Sequence, residues 1–83
     1  MNYQMSKHAR DALEERQTPI DWMERALENA ALIVPSAADA ALESRLLPIA
    51  EFGNRILRVV VNKDAAPVRV ISVYFDRTMK GKL

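Results

Sequence analysis

Five side chains in this sequence are of types that could carry out phosphate chemistry without a metal ion: His8, Arg16, Arg58, Tyr74 and Arg77. Arginine guanidinium groups hold phosphate through paired hydrogen bonds and stabilise the charge that develops on it during transfer. An imidazole titrates near neutral pH, so His8 could move a proton to or from a ribose hydroxyl, and the Tyr74 phenol could assist. If the fold brings them together, these residues are typical of a metal-free ribonuclease.

Each of these residues also has a purely structural interpretation. His8 can be a border residue at the start of a helix, bonded to a backbone group. Arg16 can lay its apolar stem over the core and keep its charged head in water. Arg58 and Arg77 can be solvated strand residues, with Arg77 paired to a neighbouring acid, and such exposed pairs contribute only about 0–1 kcal/mol. Tyr74 can pack as core, as aromatic residues of small proteins commonly do.

The composition excludes other kinds of chemistry. The sequence has no cysteine, which excludes a disulfide framework, a thiolate metal site and a cysteine nucleophile. It has one histidine, which excludes most other zinc sites. It contains no glycine-rich phosphate loop and no paired metal-ligand spacing. We therefore expect neither a cofactor nor a metal ion.

Charge is spread unevenly along the chain. The 83 residues have a net charge of +1, but residues 52–83 hold seven basic and two acidic side chains. This basic third could contact RNA, although the pI of about 8.1 is below the value of about 9 that is typical of nucleic-acid-binding domains. Residues 78–83 are expected to fray, and their two lysines, Lys80 and Lys82, either touch phosphates or nothing.

Length and hydropathy predict one domain that spans residues 1–83. The chain is 49% hydrophobic, enough to fold, and far shorter than the roughly 250 residues at which chains split into separate cores. No apolar run approaches the roughly 18 residues of a membrane span, and the first residues lack the features of a signal peptide. We expect a cytoplasmic protein that does not contact a membrane.

Two amphipathic helices are predicted in the N-terminal half. The first runs from Ser6, an N-cap residue, to Arg16. Its apolar stripe is interrupted by Arg16 itself, since the helical wheel places this cation among the apolar positions. The second helix is predicted to begin at Pro19, with Thr18 as its N-cap, and to end near Asn29 or Ala30.

The C-terminal half predicts three or four antiparallel strands. Gly53-Asn54 is typical of a tight hairpin turn, because both residues tolerate positive φ. Alternation in the last strand predicts that Ile71, Val73 and Phe75 share one side. The segments are an extended piece at 32–34, a strand within 43–52, and two clear strands at 55–62 and 68–76.

This order of elements predicts an α+β fold, in which two N-terminal helices pack on one face of a three- to four-stranded antiparallel sheet. The more apolar side of each strand should face the helices. Alternation then leaves Arg58, Ser72 and Tyr74 on the open face of the sheet, where they can meet a partner.

Short segments along the whole chain are similar to a known family: Ser6-Lys7-His8-Ala9, Glu15-Arg16, Ala26-Leu27, 57–61, 70–74 and Asp76-Arg77. The sequence thereby resembles a small bacterial family of unknown function that is itself similar to the RelE, ParE and BrnT toxins of toxin–antitoxin modules. The resemblance implies two helices against a curved antiparallel sheet, and singles out His8, Arg16, Arg58 and Arg77. The family often has glycine where this chain has Gln17.

Two hypotheses about function follow. The first is a metal-free endoribonuclease toxin that acts on RNA and is covered by a small antitoxin; it predicts cleavage that His8→Ala and Arg16→Ala abolish without unfolding the protein. The second is a non-catalytic protein-interaction domain, which uses its sheet to bind a partner or a second copy of itself. It predicts no turnover, and a complex that survives both substitutions.

Overall fold

The computed structural model describes residues 2–83 and confirms the α+β class. Two helices precede most of the sheet, as predicted. Short 3-10 turns follow the third and the fifth strand, at Ala50–Phe52 and Arg77–Met79. In chain order the elements are β1 (Tyr3–Met5), α1 (Lys7–Glu15), α2 (Ile20–Asn29), β2 (Leu32–Pro35), β3 (Leu42–Ile49), β4 (Arg55–Asn62) and β5 (Val68–Phe75).

The sheet has five strands in the order β1-β5-β4-β3-β2, and β1 pairs with β5 in parallel. Strands β2 to β5 form the predicted antiparallel meander. The prediction of three or four antiparallel strands is therefore wrong about β1. Three residues are too few to show a period-2 pattern, and this strand is recognisable only through its pairing. That pairing continues at Ser6, whose amide donates to the Val70 carbonyl at 2.9 Å.

The pairing of β4 with β5 contains an irregularity that changes which side chains face the helices. The register shifts between Val60 and Val61, so Ile71 has no partner in β4. An inserted residue reverses the alternation on one side of the bulge. Val70 is consequently fully buried and Ile71 only half-buried, so the prediction that Ile71 shares the inner side with Val73 is wrong.

Ser6 fixes the start of α1 against the sheet. Its hydroxyl accepts a hydrogen bond from the Ala9 amide at 3.0 Å, which satisfies one of the free donors of the first turn. The same hydroxyl donates to the Ile71 carbonyl at 2.8 Å. The predicted N-cap is confirmed, and it holds the helix to β5 at the bulge.

The two helices cover one face of the sheet, and the core lies between these layers. Fully burying a side chain such as valine or leucine contributes about 1.5–3 kcal/mol relative to leaving it exposed. Within residues 2–83, no helix is long and apolar enough to cross a membrane. The buried core comprises Ala9, Leu13, Met23, Ala26, Leu27, Ile49, Leu57, Val59, Val61, Val70 and Val73.

Candidate functional site

Three chain segments meet at one end of the sheet and enclose a cleft of about 410 Å³. Antiparallel pairing places the start of β4 beside the end of β5, and the Asp76 amide donates to the Ile56 carbonyl at 2.9 Å. The end of α1 and the first 3-10 turn complete the walls. We call this the cationic cleft, and it is lined by Arg16, Thr18, Phe52, Arg55, Ile56, Phe75, Asp76, Arg77 and Lys80.

The way in which α1 ends brings Arg16 and Thr18 to the cleft. The Thr18 amide donates to the Leu13 carbonyl at 3.0 Å, and the Gln17 amide donates to the Glu14 carbonyl at 3.2 Å. These are the two hydrogen bonds of a Schellman motif, which requires a left-handed residue after the helix. Gln17 supplies it with φ 52°, at the position where the resembling family often has glycine. Arg16 thus ends the helix, which explains why its charge can sit on an otherwise apolar stripe.

The turn between β3 and β4 places an aromatic ring next to a guanidinium group. Gly53 and Asn54 both adopt left-handed conformations, with φ of 65° and 58°, as their residue types predict. The expected tight turn is wrong, because Ile49 pairs with Arg55 and a 3-10 turn at Ala50–Phe52 lengthens the connection. The reversal of the chain brings Arg55 back over Phe52, and its guanidinium carbon lies 4.4 Å from the ring centroid. This is a cation–π contact between two cleft residues.

Aromatic side chains pack together along one side of the cleft. The ring centroids of Phe52 and Phe75 are 5.0 Å apart, and Trp22 lies 5.8 Å from Phe52 and 6.3 Å from Phe75. Rings at such separations attract one another beyond the effect of their buried area. The two phenyl rings in the lining therefore form an apolar wall whose position is fixed by Trp22 behind it.

Four cations face this wall without a neutralising partner. None of Arg16, Arg55, Arg77 and Lys80 forms an ion pair with a carboxylate anywhere in residues 2–83. Grouping like charges raises the energy of the free protein and attracts an anion. The half-buried arginines outside the cleft are paired, as Arg45 is with Glu43 at 3.1 Å. The cleft thus has the electrostatics of an anion-binding site.

The single carboxylate of the lining is neutralised from outside the cleft. Arg58 Nε donates to Asp76 Oδ2 at 2.8 Å, and both side chains are largely buried. The Thr78 amide and hydroxyl donate to the other carboxylate oxygen. Hydrogen bonds from Thr78 and Arg58 lower the pKa of Asp76, so it stays charged at neutral pH. The net field of the cleft is that of its four cations.

The structure brings together two of the five predicted site residues. Arg16 and Arg77 line the cleft. Arg58 lies behind it and bonds to Asp76 instead. Tyr74 projects from the open face directly across from Arg58, 37% exposed. His8 lies exposed in the first turn of α1, about 12 Å along the helix from Arg16 at 1.5 Å per residue.

Sequence reasoning missed the parts of the cleft that come from turns. Phe52 and Arg55 come from the connection between β3 and β4, where Ile49 pairs with Arg55 and Phe52 ends the 3-10 turn, and no spacing in the sequence shows that they meet. For Lys80 the sequence predicts only a position in the C-terminal tail, where the side chain touches either phosphate or nothing. No group of three histidine or carboxylate side chains in the described chain, residues 2–83, is placed to hold a metal ion.

An exposed ion pair ties the first 3-10 turn to α2. Both terminal nitrogens of Arg25 donate to the Glu51 carboxylate, each at 2.9 Å. This two-bond contact and a hydrogen bond to a backbone amide lower the pKa of Glu51 to about 2. Glu51 precedes Phe52, so the pair holds the aromatic wall of the cleft in place.

Acid should weaken the stabilisation that the Arg25–Glu51 ion pair contributes, because the pKa of Glu51 is lowered in the folded protein. A carboxylate whose pKa falls on folding stabilises the protein fully above its unfolded pKa, here about 4.5, and ceases to do so as pH falls through about 2. Wild type should therefore exceed Glu51→Gln in free energy of unfolding at neutral pH, and the difference should shrink between pH 4.5 and 2. Urea unfolding across this range measures it.

Glu15→Gln is the matched control for this experiment. Glu15 is exposed at the end of α1 and forms no ion pair with any described residue. Its substitution breaks no ion pair and should not reproduce the loss of stability expected for Glu51→Gln. A difference between wild type and Glu51→Gln that stays constant down to pH 2 would show that the Arg25–Glu51 contact does not form in solution.

Comparison with known proteins gives a family match. The sequence matches the family described as Domain of unknown function (DUF4258) over residues 5–75. The matched span includes Arg16, Phe52 and Arg55 and ends before Arg77. No curated protein and no solved structure matches the chain. The expected kinship with a family of unknown function is confirmed, whereas these comparisons do not link the chain to RelE, ParE or BrnT toxins.

Proposed function

The chain belongs to the DUF4258 family, whose function is unknown, and we propose that its cationic cleft binds RNA through a phosphate group. One observation carries the proposal: cations from three separate chain segments converge without carboxylate partners on a cleft with an aromatic wall. The segments contribute Arg16, Arg55, and the pair Arg77 and Lys80. Such convergence is expected when an anion supplies the missing charge.

The chemistry of the lining favours a nucleic acid over an acidic protein. Phosphates meet arginine and lysine, and the flat faces of bases meet aromatic rings, which is the combination that single-strand-binding proteins use. Acidic peptides have no need of the phenyl wall. A volume of about 410 Å³ lies in the range of pockets for small ligands, about 300–1,000 Å³, which suits one nucleotide at a time. RNA is the substrate class that the resemblance to toxins implies.

The finer hypothesis is a metal-free endoribonuclease toxin. In such a reaction a ribose 2′ oxygen attacks the adjacent phosphorus and loses its proton to a base. The 5′ oxygen of the next nucleotide leaves and takes up a proton, which produces a 2′,3′-cyclic phosphate. In this hypothesis Arg16 and Arg77 stabilise charge on the phosphoryl oxygens. Proton transfer by His8 or Tyr74, which do not line the cleft, stays a prediction.

Binding of a labelled mixed-sequence RNA, followed by fluorescence anisotropy in chelator, tests the proposal. Arg16→Ala and Arg77→Ala should each weaken binding about 10-fold or more, since a hydrogen bond to a charged group contributes about 1.5–3 kcal/mol. Each should also reduce the salt dependence of the affinity, by about one phosphate contact. Arg10→Ala is the control, because Arg10 is an exposed arginine of α1 outside the cleft.

The outcomes separate binding from cleavage. Failure of wild type to bind RNA, or an equal loss in Arg10→Ala, would overturn the proposal. Electrophoresis of the same mixtures shows whether RNA is cut, and His8→Ala then tests the proton-transfer role. Binding without cleavage would leave an RNA-binding domain and remove the endoribonuclease hypothesis.

The alternative of a protein-interaction domain has an observation of its own. Strand β2 lies at the edge of the sheet and exposes Leu32 and Ile33, the latter 51% exposed. An open edge with apolar side chains can pair with a strand of a partner. No residue of the cleft lining belongs to β2, so a complex formed through β2 would survive the Arg16→Ala substitution.

A further inference from the structure

Arg55 differs from the other cleft cations because its guanidinium group is already held against a surface. The group lies over the Phe52 ring at 4.4 Å from its centroid, and the residue is exposed. Within residues 2–83 it forms no ion pair that would turn it away from the cleft. A guanidinium is planar, so when one face rests on a ring, the opposite face is offered to a ligand.

The support beneath Arg55 is built from contacts that do not involve the cleft's ligand. Phe52 packs against Phe75 and Trp22, with centroids 5.0 and 5.8 Å away. The preceding residue, Glu51, is tied to Arg25 by two hydrogen bonds of 2.9 Å. A side chain that is positioned before binding loses less conformational entropy when a ligand arrives. The geometry is that of a preformed flat cation.

This flat cation lies in the same lining as the groups proposed to hold phosphate. Arg16, Arg77 and Lys80 share the cleft with Arg55 and Phe52. A ligand that uses both features must carry a phosphate and, within one nucleotide of it, an unpaired flat ring. Bases of single-stranded RNA stack on guanidinium planes and aromatic rings in this way, whereas a duplex keeps the faces of its bases inside its own stack.

We propose that Arg55, supported by Phe52, is a stacking platform for one base of single-stranded RNA whose phosphate lies against Arg16, Arg77 and Lys80. This inference rests on the proposed function and sharpens it in two ways. It assigns Arg55 to base contact rather than to phosphate contact. It also makes unpaired RNA, and not duplex RNA, the preferred ligand.

Arg55→Lys is the variant that separates the two roles, because it keeps the charge and removes the plane. Anisotropy titrations would use single-stranded RNA, a duplex of equal length, and inorganic polyphosphate as a competitor without bases. Arg55→Lys should weaken binding of single-stranded RNA at least about fivefold, the lower end of the contribution of one stacked base. Competition by polyphosphate should change by less than about twofold, since the number of cations is unchanged.

Two further variants complete the design. Phe52→Leu removes the ring beneath Arg55 and should reproduce the loss for single-stranded RNA, provided that circular dichroism shows a folded protein. Arg77→Ala removes a phosphate contact and should weaken binding of RNA and polyphosphate alike. Wild type should bind single-stranded RNA more tightly than duplex RNA.

The result that overturns the platform is distinct from the result that overturns the function. If wild type binds RNA through Arg77 but Arg55→Lys binds it equally well, the stacking role is wrong and the phosphate site stands. If Arg55→Lys loses RNA and polyphosphate in parallel, Arg55 is a phosphate contact. If wild type binds neither ligand, the proposed function itself is wrong.

Discussion

Leu57→Ala is expected to lower the free energy of unfolding by about 3–5 kcal/mol. Leu57 is fully buried in β4, which has strands on both sides, and it pairs with Leu47 of β3 and Phe75 of β5. Removing three carbon atoms at such a site costs the transfer energy of those atoms and leaves a cavity that the surrounding strands fill only in part. A domain of this length has a stability of about 4–12 kcal/mol, so the variant should lose a large share of it.

Urea unfolding followed by circular dichroism measures this loss, and Leu32→Ala provides the matched control. Leu32 also lies in a strand, but at the sheet edge and 37% exposed, so the same truncation should cost less than about 1 kcal/mol. If Leu57→Ala does not fold, Leu57→Val tests the same position, with a smaller expected loss in the free energy of unfolding of about 1 kcal/mol. Equal losses for Leu57→Ala and Leu32→Ala would mean that β4 is not at the centre of the core.

Much of the fold was predictable because its long elements carry their own periodicity. The apolar stripes of α1 and α2 and the valine-rich runs of β4 and β5 extend over eight or more residues each, long enough for the period to be read. Strand β1 has three residues and no period, and its parallel place beside β5 depends on pairing alone. The bulge at Ile71 was equally invisible, because a bulge is a property of two paired strands.

One residue of the cleft lining was predictable because a charged side chain occupies an apolar position of its helix. Arg16 interrupts an apolar stripe, and the structure has this cation in the lining of the cleft. Arg55 and Phe52 raised no such conflict, since their closeness comes from the left-handed turn between them. His8, by contrast, was selected for its chemical type, and type carries no information on position: it lies at the far end of α1 from Arg16.

Arg58 lies next to the cleft but does not line it, because its guanidinium group bonds to Asp76. Two arginines lie near Asp76: Arg77 follows it in the chain, and Arg58 lies in the neighbouring strand. Register decides between them: Arg58 lies across from Tyr74, and its Nε reaches Asp76 Oδ2 at 2.8 Å. Arg77 follows Asp76 directly in the chain and turns into the cleft. Arg58 therefore forms an ion pair within the fold, whereas Arg77 lines the cleft without one to any described residue.

Arg58→Ala should therefore affect stability more than RNA binding. The side chains of Arg58 and Asp76 are 18% and 11% exposed, so removing the arginine leaves a mostly buried carboxylate with Thr78 as its remaining partner. Breaking a fully buried pair costs about 3–5 kcal/mol, and partial exposure reduces this to about 2 kcal/mol. Affinity for single-stranded RNA, measured on the folded variant, should fall less than in Arg77→Ala, because Arg58 does not line the cleft and the variant loses only the neutralisation of Asp76.

A double-mutant cycle with Asp76→Asn distinguishes this structural role from the ligand contact that the sequence suggested. Each single variant leaves one charge mostly buried without its partner, whereas the double variant leaves neither. The loss of stability in the double variant should thus be smaller than the sum of the two single losses, by about 0.5–3 kcal/mol. Additive losses, together with a tenfold drop in RNA affinity for Arg58→Ala alone, would instead place Arg58 on the ligand. The charge of Asp76 would then have to be neutralised by Arg77, and the cleft would lose the cation on which its proposed phosphate contact depends.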